Sequence, residues 1–219
     1  TLSPVHPVSA DTYDVVLILD ASNSMRKNDP DDLRDAAVRQ FRDLALQSRR
    51  ISTLAIVIFR TEAELLLPPT APGAVRDLDA RLRQTRPGGS TDFNPPFELA
   101  ARLQAATAAR RQAILFLSDG QPIRPYREAH RLLSRRACPV YTIGLSAEAD
   151  AALLTHMATE TGGAYFPAPE AGQLKALFAR IFQLIDRPQR VLRTTVAVDG
   201  TASLPFLVDQ TMRSPVLAC

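Results

Sequence analysis

The sequence predicts a doubly wound α/β fold: a mostly parallel sheet with one antiparallel edge strand, helices on both faces, and a β-hairpin segment after it. Three observations lead there. Short apolar runs, "YDVVLILD" (13–20), "ISTLAIVIF" (51–59), "QAILFLSDG" (112–120) and "PVYTIGL" (139–145), are continuous rather than alternating, as in strands covered on both faces. Segments of helical period separate them, and strand–helix alternation builds parallel sheets through right-handed crossovers. "AELLLP" (63–68) follows the second run after too few residues for a crossover, so it pairs antiparallel at an edge.

The elements follow in order. Residues 1–12, with Pro4 and Pro7, form an irregular lead-in. "DPDDLRDAAVRQFRDLALQ" (29–47) is helical, with Leu33, Ala37, Phe41, Leu44 and Ser48 at three- and four-residue spacing. Asp29 suits its N-cap and Pro30 its first turn. A short helix over 73–84 precedes the loop "TRPGGSTDFNPP" (85–96), and a helix over 96–110 takes Asn94 as its candidate cap. Helices over 127–136, 149–161 and 171–186 and a strand over 163–168 complete the alternation. In the last helix Leu174, Leu177, Phe178, Ile181 and Ile185 face the core, and Phe182 is the residue expected to project. The domain therefore spans 13–186. Residues 187–219 change texture: Asp199-Gly200 between two extended runs marks a hairpin, the start of a truncated all-β segment.

Composition bounds the function. With 46% hydrophobic and 22% charged residues, the chain of 219 residues can bury a sizeable core. No apolar run reaches the roughly 20 residues that cross a bilayer, so no transmembrane segment is expected. The net charge of +3 is modest. The pairs Arg49-Arg50, Arg110-Arg111 and Arg135-Arg136 close helical stretches just before strands, where cations favour helix C-termini, and aromatic stacking platforms are sparse. Nucleic acid is not an expected partner. Two cysteines, Cys138 and Cys219, exclude a disulfide framework.

The chemistry concentrates at the strand ends. "LILDASNSM" places Asp20, Ser22 and Ser24 at alternate positions after the first strand. Thr91 lies in "PGGSTDFN", where Gly88 and Gly89 permit a tight backbone approach, and Asp119 ends "ILFLSDG". A doubly wound sheet brings these three loops to one pole, at the switch point between the strands before Asp20 and Asp119. Two carboxylates and three hydroxyls are an all-oxygen donor set, which suits a hard divalent cation: Mg²⁺, with Mn²⁺ or Ca²⁺ as alternatives. With no Cys or His in the cluster, Zn²⁺ is disfavoured.

"DASNS", Thr91 in "GGSTD" and "SDG" resemble the metal-ion-dependent adhesion site of von Willebrand factor type A domains, also called integrin I domains. The resemblance spans 13–186, and "SMRKNDPDDLRDAA" is similar to the bacterial branch of that family. Asn23 stands where many members carry Gly; both tolerate a left-handed backbone. The resemblance implies a metal held by Asp20, Ser22, Ser24, Thr91 and Asp119, with Asn23, Ser90 and Gly120 on the surrounding ligand-binding loops. It implies capture of an Asp or Glu presented by a partner protein, coupled to movement of loops and of the final helix. Asp92 is either an orienting carboxylate behind the metal ligands or a solvent-facing turn residue.

Enzymatic readings find less support. "LDASNS" resembles the start of an aspartyl-phosphate phosphatase motif, yet Ser22 stands where a second Asp belongs, and neither GxSxG nor a P-loop is present. His6, His130 and His156 fall in the lead-in and on helices. The expected function is divalent-metal-dependent protein recognition, without catalysis, in an extracellular or cell-envelope protein. The alternatives are a cytoplasmic adaptor coupling a partner to an AAA+ ATPase complex, and a domain whose metal only holds loops together.

Overall fold

The computed structural model describes residues 12–105, 111–125, 133 and 138–186. The expected lead-in, the helix over 127–136, the end of the helix over 96–110 and the hairpin after 186 lie outside the described residues. So do His6, His130, Cys219, Arg110, Arg135 and Arg136.

Among the described residues six strands form one sheet: β1 (Tyr13–Asp20), β2 (Ile51–Phe59), β3 (Ala63–Thr70), β4 (Arg111–Ser118), β5 (Val140–Leu145) and β6 (Tyr165–Ala168). Their order is β3-β2-β1-β4-β5-β6, and only β3 runs antiparallel, at the edge. Pro68 and Pro69 sit on that edge strand, where a missing N–H costs little. β1 is central, with Leu17 opposite both Ile56 of β2 and Leu115 of β4. The strand order reverses between β1 and β4, as the sequence predicts.

Side chains alternate across the sheet, so each central strand feeds two cores. Val15, Leu17 and Leu19 pack with helices α2 (Leu33–Gln47) and α3 (Leu78–Arg83) and the last helix, here α6 (Leu174–Asp186). Val16 and Ile18 face the opposite layer, built from α4 (Asn94–Ala105) and α5 (Ala151–Thr161). At about 1.5–3 kcal/mol for each fully buried Val, Leu, Ile or Phe, these layers account for the apolar runs. On the second face Phe116 stacks on Phe59 (5.3 Å between centroids) and meets Phe93 edge-on (4.8 Å). Phe93 thereby pins the loop carrying Thr91 and Asp92 to the sheet.

Several helix ends differ from expectation. α2 begins at Leu33 rather than at residue 29, after a separate turn, α1 (Met25–Asn28). Asp29 still satisfies the first turn of α2: its carboxylate accepts from the amides of Leu33 (2.7 Å) and Arg34 (3.0 Å) across a four-residue approach. The helix expected over 73–84 shortens to Leu78–Arg83 behind a 3₁₀ turn at Pro72–Ala74. α4 starts at Asn94, and its cap is Asp92, whose Oδ1 accepts from the Asn94 amide at 3.0 Å. α5 starts at Ala151, capped by Asp150 through the Leu153 amide. Phe182 does not project; it is buried edge-on against Phe41, 5.4 Å between centroids. The buried face of α2 (Arg34, Ala37, Val38, Phe41, Ala45) is turned from the expected one, leaving Leu33 and Leu44 half-buried. Arg111 is the first residue of β4 rather than the end of a helix.

Candidate metal centre at the carboxyl ends of the strands

β1 ends at Asp20, fully buried, with both carboxylate oxygens engaged. Oδ1 accepts from the Ser22 amide at 2.7 Å, which bends the chain into a turn, and Oδ2 accepts from the Ser118 hydroxyl at 2.7 Å. That turn sets the Ser22 and Ser24 hydroxyls 3.1 Å apart. Ser24 then donates to Asp119 Oδ1 at 2.8 Å, and Asn28 donates to Asp119 Oδ2 at 3.0 Å. Thr91 completes the group: a Cβ added at Gly120 would lie 3.4 Å from Thr91 Oγ1 and 4.0 Å from Ser24 Oγ. The residue after Asp119 thus leaves a small concavity with hydroxyls on two sides. All five residues singled out from sequence meet here.

Backbone bonds hold the loops together. Gly88 N–H donates to Ala21 C=O (2.8 Å), Asn23 N–H to Gly89 C=O (3.1 Å) and Ile123 N–H to Thr91 C=O (2.9 Å). Gly89, at φ +69°, needs a glycine's conformational freedom; a Cβ there would also sit 3.1 Å from Thr61 Oγ1. Asn23 is not among the residues with positive φ, so Asn in place of Gly strains nothing. Its side chain is exposed, as is Ser90, whose amide donates to Thr61 Oγ1 at 3.1 Å. Gly120 N–H lies 3.3 Å from Ser118 Oγ, its acceptor.

Asp92 is not solvent-facing. It is fully buried, accepts from the Asn94 amide and side chain through Oδ1, and pairs with Arg124 through Oδ2 at 2.5 Å. Burial pushes its carboxyl up, but the Arg124 and Asn94 hydrogen bonds outweigh this and hold it below the usual range. Asp92 thereby links the Thr91 loop to the loop after β4.

Four supporting residues were not foreseen. Ser118 is a hydroxyl inside an apolar run, a signal in hindsight. Asn28 stands four positions after Ser24, one helical turn. Arg124 has no sequence signal. Arg34, 1% exposed, donates to the Asp20 carbonyl at 2.7 Å and also reaches Asp35 (3.2 Å) and Thr85 Oγ1 (3.3 Å). Nothing in its spacing distinguishes it from the arginines of the polar face.

The donor chemistry fits a hard divalent cation. Burial, then the charge of Asp119, pushes Asp20 up to about 6, and burial raises Asp119 as well. Two carboxylates held close, with Arg34 on the Asp20 carbonyl rather than on its carboxylate, form a buried negative pair that a divalent cation would balance. Among the described residues no three His, Cys, Asp or Glu side chains gather to hold a metal, so a metal here would need serine and threonine hydroxyls as well. His156 is exposed on α5 beside Glu160.

The fold and this cluster define a class. The profile of the von Willebrand factor type A domain matches residues 15–121. Members of that family commonly mediate protein–protein contacts through metal-dependent sites and are generally interaction modules rather than enzymes. Among solved structures the chain is similar to a von Willebrand factor type A protein from Catenulispora acidiphila: 15% identity, TM-score 0.64, covering 78% of this chain and 42% of that one. It is also similar to proximal thread matrix protein 1 of the mussel byssus, solved with zinc in its metal-ion-dependent adhesion site: 14% identity, TM-score 0.62, 79% of this chain and 48% of that one. A third is an aerotolerance-related membrane protein from Bacteroides fragilis: 18% identity, TM-score 0.57, 79% of this chain and 99% of that one. At these identities the likeness is one of fold, and the chain spans less than half the length of the first two. No curated protein sequence matches. Among the described residues no helix is long and apolar enough to cross a membrane.

Proposed function

We propose that residues 13–186 form a divalent-metal-dependent recognition module that captures an Asp or Glu side chain of a partner protein. One observation carries this reading: Ser22, Ser24 and Asp119 form a continuous chain of oxygens, and Thr91 Oγ1 faces it across Gly120. Asp20, Ser22, Ser24, Thr91 and Asp119 would hold the ion. Mg²⁺ suits the oxygen donors, with Mn²⁺ or Ca²⁺ as alternatives; the zinc in the byssus protein's site shows that a related fold accepts another divalent ion. When bound, the ion supplies the positive charge that a partner carboxylate needs.

The rest is the work of this chain. Asp20 has both oxygens occupied by Ser22 and Ser118, which favours a role at one remove from the ion. The neutral hydroxyls then face it most directly and leave its charge available to the partner. Asp92, tied to Arg124, keeps the Thr91 loop in place from behind. The likeness to a membrane-associated aerotolerance protein favours the cell envelope or its exterior over the cytoplasm.

The test is a pull-down from the source proteome with Mg²⁺ and with EDTA, repeated with Asp20→Ala and Thr91→Ala. Both variants are expected to stay folded and lose the partner. Unfolding of both would instead indicate a metal that only holds loops together. An unchanged interaction in EDTA would remove metal-bridged capture altogether. Co-purification of an AAA+ ATPase would favour the adaptor reading.

A further inference from the structure

Around the hydroxyl cluster, cations are distributed unevenly. Lys27 faces Glu148 at 3.4 Å, and Arg124 is paired with buried Asp92, with Glu62 and Glu98 also acting on it. Both lie on the side of the loops after β4 and β5. Against residues 85–91 stand Arg26, Arg60 and Arg86 itself. Among the described residues none of these three pairs with a carboxylate.

Two of them are held rather than loose. Arg26 Nη2 donates to the Pro87 carbonyl at 2.8 Å. Arg60 donates to the Arg86 carbonyl through Nε at 3.0 Å and Nη2 at 2.7 Å. Guanidinium groups from α1 and from the end of β2 are therefore fixed on successive carbonyls of one loop. A guanidinium carries five N–H donors, so Arg26 keeps Nε and Nη1 free of these bonds and Arg60 keeps Nη1. A carbonyl orients a guanidinium but leaves its charge uncompensated. The exposed Arg86 side chain adds a third charge from the same loop. This loop is the one bonded to residues 21–23 through Gly88 and Gly89, and it ends at Thr91, so the cations adjoin the hydroxyl cluster.

We infer that Arg26, Arg60 and Arg86 form a second recognition element, selecting partner segments in which the captured Asp or Glu is accompanied by further acidic residues. This rests on the capture reading above and specifies its partner as a polyacidic peptide segment. Planar guanidinium groups match carboxylates bidentately, and their prior fixation reduces the ordering cost of binding. An exposed ion pair contributes a factor of about 1.4 to 5 in affinity, so three together give on the order of tenfold, screened by salt.

The test uses the full chain, isotopically labelled, titrated by NMR with three probes in Mg²⁺ and in EDTA. The probes are hexaglutamate, a hexapeptide carrying one Glu among Gly and Ser, and an oligothymidylate of six nucleotides. In Mg²⁺, hexaglutamate is expected to bind about tenfold tighter than the single-Glu peptide and to shift the amides of Arg26, Arg60 and Arg86. The double variant R26S/R86S is expected to cut that preference about fivefold, with its fold verified by the unchanged remainder of the spectrum. A preference left undiminished in the double variant, with binding still abolished by EDTA, overturns this inference and leaves the capture reading standing. Peptide binding that ignores EDTA but loses its preference in the variant overturns the capture reading alone. Failure of hexaglutamate to bind, or tighter binding of the oligonucleotide, overturns the assignment of an acidic peptide.

Discussion

Arg34→Met tests how the site is held from beneath. Arg34 is 1% exposed, and its guanidinium satisfies the Asp20 carbonyl at 2.7 Å and the buried Asp35 carboxylate at 3.2 Å. Met preserves most of the apolar volume but leaves Asp35 without its cation and the carbonyl without a donor. Removing one partner of a buried pair costs about 3–5 kcal/mol, against about 0.2–1 kcal/mol for an exposed pair. Urea unfolding followed by circular dichroism measures the loss, and the double variant R34M/D35L is expected to recover most of it, because no charge is left stranded. The pH dependence gives a second check. Burial raises the Asp35 carboxyl and Arg34 opposes that rise, so losing Arg34 raises it further. Stability tied to a raised carboxyl is present at low pH and lost as pH climbs through the raised value. The deficit of Arg34→Met should therefore shrink on acidification. A loss under about 1 kcal/mol at neutral pH, or one that grows in acid, would refute the assignment of Arg34 as the buried support of β1's end.

Two further outcomes follow from the site. Asp20 is pushed up to about 6, first by burial and then by Asp119, so its protonated form is favoured in the metal-free fold and that advantage disappears as pH rises through this value. A divalent cation requires the ionised carboxylate, so calorimetric Mg²⁺ affinity should fall about tenfold between about pH 7.5 and about pH 5; a flat profile would contradict the ligand set. Asp92→Ala removes the cap of α4 and strands the Arg124 contact, with an expected cost of about 1–2 kcal/mol and a weakened metal affinity through the displaced Thr91 loop. Equal affinity in the folded variant would show that Asp92 serves the helix alone.

Strand placement was legible because burial on both faces leaves continuous aliphatic runs. β2 spans Ile51–Phe59 as its composition implies, and the short link to β3 forces the antiparallel edge. Helix starts were less legible, because a capping carboxylate can act at a distance. Asp29 reaches the amides of Leu33 and Arg34 over an intervening turn, and Asp92 takes the cap expected of Asn94. Phe182 shows the same limit on a helix face: whether it is buried depends on Phe41 from α2, which no local period reveals.

By itself the sequence determined the sheet, its switch point and which oxygen-bearing side chains the loops at that pole carry. Those features depend on local period, on chain length between strands and on donor type, all written along the chain. Tertiary structure alone decided which groups stand behind and beside the site: Ser118 on Asp20, Asn28 on Asp119, Arg124 on Asp92, Arg34 under β1, and the arginines anchored on residues 86 and 87. Each of these contacts depends on the distance between loops that only the packed sheet brings together, and a charged side chain's partner is set by that distance rather than by its neighbours in sequence.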